Sequence, residues 1–428
     1  MSFLAGPRVY NLFPRLVGGM EGWTHHFARI KAMGFDWLYV NPFHFAGYSG
    51  SLYAVKDFFA YHPLFVDDNL PQSHEAQFKA MLEAAHATGL RFMMDLVINH
   101  TAFDSVIATE HPEWFQKAED GSLKHPGAMD GDQWVEWGDL AQLANADAPD
   151  QQGLWNYWLG MMRHYLALGV DGFRCDAAYH VPSELWRFLI PAIKHEYPRT
   201  SFFAETLGCR PWEVVEMADV GFDYVFNSVR WWDYQAPWFL EGHARTLGAA
   251  PSIGFPESHD TERAAFELEG HEGALKQKYL FAALVGTGVM MPIGFEYGFK
   301  KRLDVVSTFP ADWEAQTLDL SPFIAEANAL KASARIFNVD GPLWQVETGH
   351  ERVKAYAKGT PDAREKALFV LNLDREQWAE IKIPSVADAM GARHVEDVSI
   401  EHRWEAIGED FEGRIAPAAC QVLVGRLA

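Results

Sequence analysis

The stretch GVDGFRCDAAYH, residues 169–180, places Arg174 and Asp176 two positions apart in a run that otherwise reads as a buried strand. Side chains two apart on a strand share a face. Both groups therefore enter one low-dielectric space, where a charge is costly unless it is paired. Two uses fit such a pair. It is a structural Arg–Asp bridge, or it presents a carboxylate whose pKa a guanidinium holds down, ready to act as nucleophile or base. More polar residues follow other apolar runs: Asn99 and His100 after RFMMDLVI, Glu205 after SFFA, and His259 with Asp260 after SIGFPES. Three carboxylates gathered at one place repel each other, so stability alone explains the whole set poorly.

Positioning these residues requires a repeating scaffold, and the chain supplies one. Apolar runs at 8–14, 37–43, 91–99, 172–177, 201–206, 224–228, 252–258 and 289–295 read as strands. Helical patterns lie between them, near 24–33, 73–88, 152–168, 183–196, 211–219, 237–247, 272–286 and 322–335. The last helix has Ser321 as its expected cap and Pro322 in its first turn. Eight strand–helix units with right-handed crossovers predict an α/β fold, a closed (β/α)8 TIM barrel, over residues 1–337. An open doubly wound sheet is the alternative, but no G-x-G-x-x-G or P-loop follows any strand. Residues 101–150 form a long insert after the third strand. From 338 to 428, LWQVETG, VKAYAKG, ALFVLNL, AEIKIP and CQVLVG predict a C-terminal antiparallel β-sandwich domain. In such barrels the site forms at the C-terminal ends of the strands, and that is where the polar residues fall.

Composition narrows the partners. A net charge of −22 argues against nucleic acid and anionic membranes. No stretch is apolar enough to span a bilayer, and the N-terminal MSFLAGPRVYNLF lacks the pattern of a secretory signal, so a cytoplasmic location is expected. Three cysteines, Cys175, Cys209 and Cys420, with no CxxC pair give neither a disulfide framework nor a thiolate zinc site. Sixteen tryptophans suit both a core and a sugar-binding cleft.

Four stretches, DLVINH (95–100), GFRCDAAYH (172–180), FAET (203–206) and ESHD (257–260), resemble the four signature regions of the α-amylase family of glycoside hydrolases, in order and at the expected strand ends. The resemblance implies Asp176 as nucleophile, Glu205 as general acid/base and Asp260 as the third carboxylate, binding sugar hydroxyls. It implies that Arg174 keeps Asp176 ionised and that His100, His180 and His259 lie on the substrate. It also implies that Tyr53, with Asp57 at a fixed offset in GSLYAVKDFF, lies at the sugar being cleaved. The residues support the same chemistry directly. Cleavage with retention needs two carboxyl groups about 5–5.5 Å apart, and neighbouring strands lie about 4.8 Å apart.

Some positions depart from the commonest pattern of that family. Tyr179 stands where many α-1,4-acting members have lysine, and Ser258 where asparagine is frequent. Gln142 takes the place of a calcium-binding aspartate, so neither metal nor cofactor is expected, although Asn99 remains. DAAYH is closer to α-1,4- than to α-1,6-acting members, which makes an α-glucan or malto-oligosaccharide the expected substrate. YNLFPR, MGFDWLYVNPFH and EHPEWF resemble the branch of maltosyltransferases that use maltose 1-phosphate, for which Lys56 and Arg210 are candidate phosphate contacts. Three readings follow: a hydrolase of α-1,4-glucans first, a glucosyl or maltosyl transferase second, and a non-catalytic glucan-binding protein third. The insert holds Trp114, Trp134 and Trp137, which either stack on distal sugars or pack the insert. Oligomeric state is not legible.

Overall fold

The computed structural model describes residues 3–426 apart from 131–132, 237, 385, 393, 406 and 408–410. The predicted helix start at Pro237 therefore lies outside the described residues, as do two positions of the insert and the last two of the tail.

Eight strands close into a parallel barrel: β1 (Arg8–Leu12), β2 (Trp37–Val40), β3 (Arg91–Leu96), β4 (Gly172–Cys175), β5 (Ser201–Ala204), β6 (Tyr224–Phe226), β7 (Ser252–Gly254) and β8 (Gly288–Pro292). Each pairs with its sequence neighbours, and β8 pairs with β1 to complete the ring. The helices between them are α1 (Met20–Ala32), α2 (His74–Ala87), α3 (Gln151–Leu168), α4 (Ser183–Glu196), α5 (Pro211–Glu216), α6 (Trp238–Thr246), α7 (Glu272–Val285) and α8 (Ser321–Ser333). Among the described residues, no helix is long and apolar enough to cross a membrane.

Strand alternation separates two cores. Phe173 and Cys175 of β4 face outward and pack with Phe92, Met94 and Leu96 of β3 under the helices. The barrel interior is filled by Val9, Trp37, Tyr39, Met93, Phe203 and Ile253. Gly172 makes room for this filling. A Cβ there would meet the Ser201 carbonyl at 2.6 Å and the Trp37 ring at 3.0 Å. Its neighbour on the same face is Arg174, so one close approach low in the barrel sets the height of a charged group above it.

Helix ends follow local chemistry. Asp150 caps α3 by accepting from the Gly153 N–H, and Gly169 ends that helix in the left-handed conformation. Ser73 caps α2 in the same way through Ala76 N–H. At α8 the expectation needs correction: Ser321 is the first helical residue and makes no side-chain cap. The Asp319 carboxylate accepts the Ser321 N–H at 3.0 Å and does that work from two residues upstream.

The insert after β3 is more structured than a polar loop. His100–Ala102 pairs antiparallel with Leu140–Gln142, and Gly127–Asp130 pairs with Gln133–Glu136 as a separate ribbon. Beyond the barrel, β9 (Leu343–Val346), β10 (Val353–Gly359), β11 (Glu365–Asn372), β13 (His394–Asp397) and β15 (Cys420–Arg426) form an antiparallel sheet in the order β9-β10-β11-β15-β13. A two-stranded sheet, β12 (Ala379–Ile383) with β14 (Phe411–Ile415), packs its Ile381 and Ile383 against Ala355 and Leu368 of the larger one. Strands β13 and β14 are short and rich in polar residues, which hid them in the sequence. The second sheet makes the tail a sandwich. It is seated on the barrel by α7, where Gln277 donates to the carbonyls of Asn372 and Ala419.

Candidate active site

Arg174 and Asp176 do share a face. The Arg174 Nη1 donates to Asp176 Oδ1 at 2.6 Å and also to both oxygens of Asp95, at 2.9 and 3.1 Å. Asp95 stands opposite Arg174 in the β3–β4 register. Its carboxylate, fully buried, accepts as well from the hydroxyls of Tyr39 and Tyr53 at 2.6 and 2.7 Å. Asn41 Nδ2 donates to Tyr53 at 3.0 Å. Neither Asp95 nor Tyr39 and Asn41 stood among the expected site residues. The signal for them was the inward phase of β2 and β3, which puts Tyr39, Asn41 and Asp95 on the barrel face.

Asp176 and Glu205 follow the last paired residues of adjacent strands, Cys175 and Ala204. Glu205 is held by two backbone donors: Ala177 N–H to Oε2 at 2.8 Å and Leu207 N–H to Oε1 at 2.6 Å. Ala177 sits in the left-handed region, φ 41°, an uncommon place for a residue with a Cβ. That kink turns its N–H toward Glu205 and leaves Asp176 facing Arg174. Tyr179 then ties the two strand-end turns together by donating to the Leu207 carbonyl at 3.1 Å.

Burial raises both carboxyl groups, each in different surroundings. Burial pushes Glu205 up to about 8, with the charges of Asp176 and Asp260 adding to it, and Arg174 Nη2 stands 3.9 Å off. Arg174 pulls the Asp176 carboxyl down as expected, but it does not set the net direction. Burial outweighs the guanidinium, which is shared with Asp95, and the Asp176 carboxyl lies above its ordinary range. Asp176 is nevertheless hydrogen-bonded to the guanidinium, whereas Glu205 meets it only at 3.9 Å.

His259 is buried, and its Nε2 lies 2.7 Å from the Tyr53 hydroxyl and 3.1 Å from Asp260 Oδ2. Tyr53 gives its proton to Asp95, so the proton between Tyr53 and His259 belongs on Nε2. Burial lowers the pKa of His259 and keeps the ring neutral. Asp260 is half exposed, and Ser258 Oγ accepts its N–H at 3.2 Å, which fixes the turn that presents it. His100 is buried, and its ring nitrogens make no well-formed hydrogen bond; burial brings it to about 4. His180, exposed, sits against the Tyr179 ring at 4.2 Å with the charge of Asp176 acting on it.

Asp57 is not gathered with the others. Its Oδ1 accepts the Phe59 N–H at 2.8 Å within its own short strand, Val55–Tyr61, outside the barrel, and its charge bears on Tyr157 and Tyr165. Lys56 is paired with Asp104 at 2.7 Å. The Arg210 N–H meets Glu213 at the start of α5. Of the three tryptophans in the insert, Trp114 is packed inside and donates to Asp150, whereas Trp134 and Trp137 are exposed. Gln142 turns its NH2 toward the carbonyl and the Oδ1 of Asn99, at 3.1 and 3.2 Å. A cation there would face an amide donor instead of a carboxylate, so these residues do not fit calcium.

Comparison with known proteins agrees with this fold. An α-amylase from Lactobacillus plantarum superposes with a TM-score of 0.76 at 23% identity, covering 98% of both chains. In sequence, the α-1,4-glucan:maltose-1-phosphate maltosyltransferase of Burkholderia pseudomallei is 27% identical over 88% of this chain and 34% of its own length. The resemblance to the α-amylase family holds. The α-amylase MalA of Haloarcula japonica is 25% identical over 86% of this chain and 55% of its own. Residues 5–121 match the family model of the glycogen debranching enzyme glucanotransferase domain. The chain spans between a third and two thirds of the length of these curated relatives. What it shares with the solved α-amylase is the fold.

Proposed function

We propose that this chain is a retaining enzyme of the α-amylase type that acts on an α-1,4-glucan or malto-oligosaccharide and passes the released sugar to an acceptor. The observation that carries the reading is the unequal treatment of two carboxyl groups at adjacent strand ends. Asp176 is bonded to Arg174, and Glu205 is pushed up to about 8. A carboxylate hydrogen-bonded to a guanidinium, beside a carboxyl group held by backbone N–H donors and raised by burial, can serve as nucleophile with its neighbour as acid.

In the first step, Asp176 attacks the anomeric carbon as the bond from that carbon to the leaving oxygen breaks. Glu205 gives its proton to that oxygen. In the second, the acceptor oxygen attacks the same carbon, the bond to Asp176 breaks, and Glu205 takes the acceptor's proton. Two inversions retain the α configuration. Asp260, with His259 behind it, and His100 line the sugar. Arg174 and Asp95 hold Asp176 in place.

Transfer ranks above hydrolysis because several relatives, those of Burkholderia pseudomallei and Myxococcus xanthus among them, are named as maltosyltransferases. Hydrolysis is the second reading, supported by the likeness to MalA of Haloarcula japonica. Maltoheptaose with and without phosphate tests both. Under transfer, products longer than the substrate, or a sugar phosphate, are expected; shorter products alone would assign hydrolysis. Asp176→Asn should lower turnover by several orders of magnitude without unfolding the protein. Activity within about tenfold of wild type would remove Asp176 from its role.

A further inference from the structure

The ribbon Gly127–Asp130 with Gln133–Glu136 projects from the insert, and residues 133 to 138 are all exposed. Two strands alone are marginal in water, yet this pair carries Trp134 at 60% exposure, Val135 at 42% and, just beyond, Trp137 at 37%. Alternation puts Trp134 on one face of the strand and Val135 on the other, so the Trp134 indole is the large apolar group that its own face leaves in water. We propose that this ribbon carries the α-glucan chain beyond the reacting bond, with the exposed Trp134 indole stacking on a distal sugar ring. The proposal rests on the reading above and adds where, and over what length, the substrate is held.

Three observations select a glucan as the occupant. The first is a preformed platform. A Cβ on Gly127 would lie 2.7–2.8 Å from Cζ2 and Cε2 of Trp134, so the indole lies over the glycine and any larger residue would displace it. A ring fixed before binding loses little freedom when a ligand arrives. The second is continuity with the site. The Trp137 ring stands edge-on to His100, centroids 6.4 Å apart, and the Trp137 backbone N–H donates to the Pro126 carbonyl. Tyr48, itself 66% exposed, donates to the Gly138 carbonyl at 3.0 Å and fixes the base of the ribbon to the mouth. At about 3.3 Å per extended residue, Trp134 stands roughly 10 Å farther out than Trp137. A disaccharide in the site falls short of it, and a longer chain reaches it. The third is charge: Glu136 and Asp139 flank the rings in a chain of net charge −22, which suits a neutral, hydroxyl-rich ligand and repels nucleic acid or anionic lipid.

The test measures binding in a Glu205→Gln background, which stops turnover. Calorimetric titration with maltoheptaose and with maltose compares that protein with its Trp134→Ala and Trp134→Phe derivatives. Trp134→Ala should weaken maltoheptaose roughly tenfold, the scale of one lost stacking contact, and leave maltose within about twofold. Trp134→Phe should recover part of the loss. Unchanged maltoheptaose affinity, or an equal loss for both sugars, would overturn the proposal. So would a dimer that Trp134→Ala dissolves with glucan affinity unchanged, which would assign the ribbon to a second copy. The two readings fail separately. Trp134-dependent binding by a wild-type protein without turnover keeps the ribbon's role and removes the reaction. Turnover with Trp134-independent binding does the reverse.

Discussion

Glu205 differs from Asp176 by one methylene, and the two are neighbours, but the barrel gives the hydrogen bond of Arg174 to only one of them. Burial pushes Glu205 up from 4.5 to about 8, and a group whose pKa is raised on folding binds its proton more tightly in the folded state. Its stabilising contribution is therefore complete below about pH 4.5 and is lost as pH rises through 8. Removing the ionisation should remove that loss. Glu205→Gln is expected to melt above wild type at pH 9 by several degrees more than at pH 5, measured by calorimetry. Equal differences at the two pH values would contradict the burial argument. The same proton sets the rate: kcat/KM should fall on the alkaline side with a midpoint near 8, since Glu205 must begin protonated. The acid side should fall above the ordinary aspartate range, because Asp176 is raised too.

At the scale of strands, the site depends on residues that do no chemistry. Gly172 lets β4 lie against the Trp37 ring, and Ala177 accepts a left-handed backbone so that its N–H can hold Glu205. Gly172→Ala forces a Cβ to within 2.6 Å of the β5 backbone. Overpacking of this kind costs about 1–3 kcal/mol. It should also shift Arg174, two residues on, away from Asp95 and Asp176. The expected outcome is a lower melting temperature together with a fall in kcat larger than the rise in KM. Wild-type kinetics in a destabilised Gly172→Ala protein would show that strand height and site geometry are independent.

The whole molecule combines a barrel that gathers the reacting groups, an insert that extends from one side of the mouth, and a sandwich packed on α7. The insert closes on the barrel through Gln142 and Asn99, amide to amide, where the family resemblance made calcium a question. A metal bound only by the folded state raises its stability. Chelation with EDTA is therefore expected to leave melting temperature and activity nearly unchanged. A drop of many degrees that calcium restores would reveal a site outside this donor set.

Sequence alone determined the order and type of the barrel elements, because strand and helix periods are local properties of the chain. All eight barrel strands and their helices are written in apolar spacing, and the polar residues at strand ends marked the rim. The four quoted stretches supplied the candidate roles of Asp176, Glu205 and Asp260. Tertiary structure decided what depends on register and burial. Asp95 became the partner of Arg174 only because β3 and β4 align those two residues, and Tyr39 and Asn41 joined it through the inward phase of β2. The pKa of Asp176 rises where charge pairing alone predicted a fall, since one guanidinium is divided between two carboxylates in a space without water. Asp57, close to Tyr53 in sequence, turns to its own strand. Spacing along a chain gives the face of a side chain; only the packed barrel gives its neighbours across that face and the solvent they exclude.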